Sequence, residues 1–86
     1  MAAHVSTGNR QRLIASAREA AQSAYAPYSR FRVGAAVLSE QGIHIGTNVE
    51  NASFGLALCA ERAALAAAMS NGDRHISAVA IACIDA

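Results

Sequence analysis

Residues 31–49, Phe31-Arg-Val-Gly-Ala-Ala-Val-Leu-Ser-Glu-Gln-Gly-Ile-His-Ile-Gly-Thr-Asn-Val49, decide the fold. Phe31, Val33, Ala35 and Val37 alternate with Arg32, Gly34, Ala36 and Leu38. Because the second set is also largely apolar, the segment suits a strand covered on both faces. Ser39-Glu-Gln-Gly42 is a turn in which glycine supplies the positive φ, and Ile43, Ile45, Thr47 and Val49 form the returning strand. The segment is therefore a β-hairpin.

On the N-terminal side, Leu13, Ala17, Ala20 and Ala24 fall at three- and four-residue steps, which predicts an amphipathic helix over residues 9–24. Residues 1–8 carry no periodicity and read as a mobile tail. Tyr25-Ala-Pro-Tyr-Ser29 ends the helix, since Pro27 disfavours helical geometry in the residue before it. Beyond the hairpin, residues 51–55 form a polar loop. An alanine-rich helix over residues 58–70 follows, closed by Asn71-Gly72. Residues 75–84 are nearly continuous aliphatic side chains and read as a buried parallel strand beside the first one. The order helix, strand, strand, helix, strand makes residues 1–86 a single α/β domain without internal repeats. The far side of the last strand would be a flat, unpaired apolar ribbon. The sheet is therefore expected to be incomplete at its C-terminal edge, with more sheet or another subunit needed to cover it.

Composition excludes several classes of partner. Hydrophobic residues make up 53% and charged residues 15%, so the chain has the material for a core. A net charge of +1 with no run of like charge offers no footprint for nucleic acid or an anionic membrane. The apolar runs at residues 63–69 and 78–84 are too short to span a bilayer. With no leader at the start of the chain, a cytoplasmic protein is expected. Alanine supplies 22 of the 86 residues, so each buried side chain contributes little area and self-association would help. Two cysteines are too few for a disulfide scaffold.

The chemistry concentrates in Thr47-Asn-Val-Glu-Asn-Ala-Ser-Phe-Gly55 and Cys59-Ala-Glu-Arg62. Asn48 and Glu50, two apart on one strand, project from the same face. Together they offer an amide and a carboxylate suited to gripping vicinal hydroxyls, or equally a solvated strand end. A helix N-terminus favours negative charge, which suits a cysteine there to bind zinc as thiolate. Glu61, two residues on, is in reach of a metal-bound water. Taken alone, Cys59-x-Glu61 is a weak signal and reads first as a buried thiol and a first-turn carboxylate that complements the helix dipole.

Tyr28-Ser-x-Phe31-x-Val-Gly-Ala-Ala36, Asn48-Val-Glu-Asn-Ala52 and Cys59-Ala-Glu-Arg62, in this order and spacing, resemble the small, homotetrameric, zinc-dependent cytidine deaminases. The resemblance runs over residues 12–85. It implies a three-layer α/β/α sandwich with a mixed sheet, one Zn²⁺ per subunit, and hydrolytic deamination of cytidine or deoxycytidine. By the same resemblance, Cys59 is a zinc ligand and Glu61 the acid/base that serves N3 and the leaving amine. Asn48 and Glu50 hold the ribose, Ala60 offers backbone groups to the base, and Phe31 packs against it. Arg62, otherwise an exposed first-turn side chain, offsets the negative charge of three thiolates on the metal. Phe31 read on its own is a strand core residue.

The family's Pro-Cys-x-x-Cys segment is absent, and the chain reads as a truncated domain with one zinc ligand of three. Cys83, in phase with Val79 and Ile81, is expected to be a core thiol. His4, His44 and His75 are expected at the surface. Glu50 beside the sugar favours a free nucleoside over a phosphorylated substrate. Helix-to-helix packing through the alanines would form a tetramer, with Phe54 near a neighbouring pocket. The contrasting readings are a non-catalytic remnant that keeps the oligomerising fold without zinc, and, less well supported, a thiol redox protein built on Cys59.

Overall fold

A computed structural model of the chain describes residues 6–27, 30–51 and 56–85. Its elements are α1 (Thr7–Ala21), β1 (Val33–Ser39), β2 (Gly42–Thr47), β3 (Val49–Asn51), β4 (Leu56–Leu58), α2 (Ala60–Ser70) and β5 (Ile76–Cys83). Helix α1 starts earlier than its periodicity suggests, so Thr7 and Gly8 are not part of a tail. The reason is a cap at Ser6, whose Oγ accepts from the Asn9 amide at 3.1 Å. The helix also stops earlier, at Ala21. Residues 22 and 23 continue as a turn, and Tyr25 is then drawn into a parallel bridge with Val49. The Tyr25 N–H donates to the Asn48 carbonyl at 3.2 Å and the Glu50 N–H to the Tyr25 carbonyl at 2.9 Å.

The hairpin β1–β2 forms as its alternation requires, with Ala36 opposite Ile45 and Ser39 opposite Gly42, whose φ of 134° closes the turn. Strand β5 joins the other side of β1, giving the order β2-β1-β5. The expected neighbour is right but its direction is not, since β5 runs antiparallel to β1, with Val37 opposite Val79. The chain leaves the sheet from β2, crosses through α2 and re-enters in the direction of β2. Its parallel counterpart is thus β2, with β1 lying between them.

Both faces of β1 are covered, which makes three layers. Ala35 and Val37 pack against Ala60, Ala64 and Ala68 of α2, while Ala36 packs against Leu13 and Ala17 of α1. Two glycines let the helices approach closely. A Cβ on Gly34 would lie 2.0 Å from the Ala17 carbonyl oxygen, and one on Gly46 would lie 2.3 Å from the Ala64 nitrogen. Methyl-sized knobs and these two notches bring backbone against backbone, as close packing of a small core demands.

Strand β5 is not the fully buried strand that its composition suggests. Ala78, Ala80 and Ala82 pack towards α1, but α2 lies over β1 and β2. Val79 and Ile81 are therefore 46% and 56% exposed. Cys83 keeps their phase and is exposed with them, not a core thiol. Among the described residues, no helix is long and apolar enough to cross a membrane.

Candidate functional site

Two short strands build the candidate site: β3, which the sequence reads as the continuation of the returning strand, and β4, which it does not predict. Residues 56–58, expected to lead directly into a helix, form β4, which pairs antiparallel with β3. Val49 lies opposite Leu58 and Glu50 opposite Ala57. Cys59 follows Leu58 directly, as Asn48 precedes Val49. The ladder thus sets Asn48-Val-Glu50 alongside the backbone that enters α2.

Asn48 is the joint of this arrangement. The returning strand is broken there rather than continuous, because Asn48 turns its hydrogen bonding toward the start of β1. Its Oδ1 accepts from the Val33 N–H at 3.0 Å, and its Nδ2 donates to the Phe31 carbonyl at 2.8 Å. Its own N–H donates to the Val33 carbonyl at 3.1 Å. The amide locks residues 31–33 to the site, and one amide hydrogen and one oxygen lone pair remain for a further partner. Glu50 is half-buried. Phe31, preceding β1 rather than within it, is 51% exposed and is not a core residue.

Cys59 is the N-cap of α2, with φ −75° and ψ 143°, and its side chain makes no capping bond. A cysteine here leaves the first-turn N–H groups and the positive end of the helix dipole unanswered by a side-chain oxygen. The thiol is exposed. Ala60 is buried against the sheet, Glu61 is half-buried in the first turn and Arg62 is exposed. Among the described residues, no group of three or more His, Cys, Asp or Glu is arranged to hold a metal. Cys59 alone is one donor where catalytic zinc takes three from protein, so these residues do not by themselves build a zinc site.

Two further polar features were hidden in the sequence. Arg32 clamps Asp85 through its backbone N–H at 2.8 Å, Nε at 2.9 Å and Nη2 at 2.9 Å, tying the start of β1 to the end of β5. These hydrogen bonds, the side-chain ones first, hold the Asp85 carboxyl down to about 2. Opposite charges flanking the first and last strands were the available signal. His44, expected at the surface, instead points inward, its Nε2 2.7 Å from Oδ2 of the fully buried Asp73. Its even position, shared with Gly46 on the face that α2 covers, was the clue. His75 is exposed as expected. His4, Tyr28, Ser29 and Phe54 lie outside the described residues.

Residues 7–84 match the family model of the cytidine and deoxycytidylate deaminase zinc-binding region. A curated cytidine deaminase of Halalkalibacterium halodurans is 54% identical over 74 residues, covering 85% of this chain and 56% of the relative. Among solved structures, cytidine deaminase from Mycobacterium tuberculosis superposes with a TM-score of 0.81 at 46% identity, covering 87% of this chain and 62% of that one. Cytidine deaminase from Burkholderia pseudomallei gives 0.79 at 47% identity, covering 85% and 60%. The chain spans little more than half the length of the curated relatives it matches.

Proposed function

This chain belongs to the cytidine and deoxycytidylate deaminase family, and we propose that it provides the nucleoside-binding and acid/base part of a site that converts cytidine or deoxycytidine and water into the uracil nucleoside and ammonia. The observation that carries the reading is the β3–β4 ladder, which sets the Asn48-Val-Glu50 backbone alongside the residues that enter Cys59-Ala-Glu61. In this reading Glu50 and the remaining capacity of the Asn48 amide bind the ribose hydroxyls. Ala60 offers backbone groups to the base, and the exposed ring of Phe31 packs against it. Glu61 takes one proton from the attacking water and delivers it to N3 of the pyrimidine, then takes the second proton from the hydroxyl added at C4 and delivers it to the departing amine. A carboxylate at the sugar repels phosphate, which favours a free nucleoside over a nucleotide or polynucleotide.

Zinc dependence requires that Cys59 be joined by donors from outside the described residues, with Arg62 adding positive charge beside them. The reading carries with it a cytoplasmic location and a homotetramer, the latter supported by the exposed Ala66, Ala67 and Met69 on the outer side of α2. The test uses the full-length gene product, purified without chelator. It should hold one zinc per subunit, run as a tetramer and release ammonia from cytidine, and Glu61→Gln should lower kcat by roughly 10²- to 10⁴-fold. A full-length product with neither zinc nor turnover refutes the reading and leaves the non-catalytic alternative, a fold kept for assembly.

A further inference from the structure

The buried polar group farthest from this chemistry sits at the opposite end of α2. Asp73 is fully buried, and its Oδ2 accepts from the Ser39 hydroxyl and from His44 Nε2 at 2.7 Å. Its Oδ1 is buried with no hydrogen-bond partner among the described residues. The three residue types invite comparison with a nucleophilic triad, but the order is wrong. Asp73 lies between the other two, so no imidazole stands against the Ser39 hydroxyl to take its proton. Nor is the group explained by stability, since burying a carboxylate with one oxygen unanswered costs free energy that an apolar side chain would not. What such a group supplies is direction.

Direction is what α2 otherwise lacks. Its buried face is Ala60, Ala64 and Ala68, methyl groups of low relief that resist sliding along the sheet only weakly. Besides the notch at Gly46, the packing of Leu65 and the attachment of its first residue to β4, the feature that opposes axial movement is Asp73, and it is rigidly part of the helix end. The Asp73 N–H donates to the Ala68 carbonyl at 3.1 Å and the Gly72 N–H to the Met69 carbonyl at 3.0 Å. Its partners are the last residue of β1 and a residue of β2, so the hairpin holds the C-terminal end of α2. Asn71, whose Nδ2 donates to Gln41 Oε1 at 3.3 Å, adds a second tie to the hairpin turn. A helix of 11 residues is a rod of about 16 Å, and an axial shift at one end appears undiminished at the other.

We propose that Asp73, held by His44 and Ser39, is a positioning residue that sets the axial register of α2 and thereby the placement of Cys59 and Glu61 against Asn48 and Glu50. The latter pair has anchors of its own, through Asn48 to β1 and through Glu50 to Tyr25, in addition to the β3–β4 ladder that joins it to the entry of α2. The consequence for catalysis rests on the deaminase reading above, but the positional claim does not.

The experiment therefore reads position directly, as backbone amide NMR signals of the full chain. His44→Leu removes the donor, while His44→Gln offers an amide N–H in its place. His44→Leu and Asp73→Ala should displace the signals of Ala60, Glu61 and Arg62 while those of Leu13 to Ala21 in α1 stay in place, and His44→Gln should largely restore them. Where Asp73→Ala does not fold, Ser39→Ala removes one donor at lower cost and should give a smaller displacement in the same residues. In a gene product that turns over cytidine, His44→Leu should lower kcat on the order of tenfold or more with KM little changed, since misplacing a reacting group slows chemistry more than binding. Unmoved signals at Ala60 to Arg62, with only a lowered melting temperature, overturn the proposal. A gene product without turnover overturns the deaminase reading and leaves the signal comparison decisive for this one.

Discussion

Replacing Gly46 by alanine should lift the first turns of α2 from the sheet. The added Cβ would stand 2.3 Å from the Ala64 nitrogen, 2.6 Å from the Ala60 carbonyl oxygen and 2.7 Å from the Ala63 Cβ. Ordinary contact lies near 3.5 Å, so the helix must retreat by about 1 Å, and a gap of that size forfeits roughly a quarter to a half of the dispersion energy across it. Two of the three atoms are backbone, and no side-chain rotation relieves them. Against this, alanine restricts the unfolded chain and suits a strand better than glycine, a gain of about 0.5–1 kcal/mol. Overpacking of this kind costs roughly 1–3 kcal/mol, and a backbone clash belongs at the upper end, so the net loss should be about 2 kcal/mol. The assay is urea unfolding followed by circular dichroism, comparing midpoints at constant slope. Gly8→Ala is the matched control. It makes the same change on the exposed side of α1, where nothing lies within 4 Å of the new Cβ. It should stabilise, by less than about 1 kcal/mol. A Gly46→Ala protein within about 0.5 kcal/mol of the parent would refute the close approach of α2 to β2.

Other outcomes follow from single interactions. Ser6→Ala removes the cap of α1 and should cost about 1 kcal/mol, visible as added fraying of residues 7–9 in hydrogen exchange. Asn48→Ala leaves the Val33 N–H and Phe31 carbonyl without their partner and should destabilise by roughly 1–3 kcal/mol; an unchanged unfolding midpoint would contradict the joint described for it. The Asp85 carboxyl, at about 2 in the folded chain against an ordinary 3.8, is depressed. Its contribution to stability is therefore complete above the ordinary value and is lost as pH falls from near 3.8 through about 2. An NMR titration should place its midpoint near 2 and move it upward in Arg32→Ala; a parent midpoint near 3.8 would show that the clamp does not form.

Much of the fold was legible because it is written in local periods. Alternation over residues 33–38 predicts β1 and both of its buried faces, and Asn71-Gly72 marks the end of α2. The candidate site was visible as a linear pattern, Asn48-Val-Glu50 followed by Cys59-Ala-Glu61. Hidden from it were β4, only three residues long, and the use of the Asn48 amide to hold residues 31–33, since a side chain suited to a ligand is equally suited to backbone. His44 and Asp73 stand 29 positions apart and neither carries a local signal of the other.

The sequence by itself determined the two helices, the hairpin strands and the last strand, the turn at Gly42, and the family signature at residues 28–36, 48–52 and 59–62, because each depends on neighbours within a few residues. Only the tertiary structure decided that β5 opposes β1, that Cys83 and its apolar phase-mates lie uncovered, and that His44 is drawn inward to a buried carboxylate. Those outcomes depend on which layer lies over which strand. That is set by the path of the chain through α2 and by the two glycine notches that let the helices come down onto the sheet.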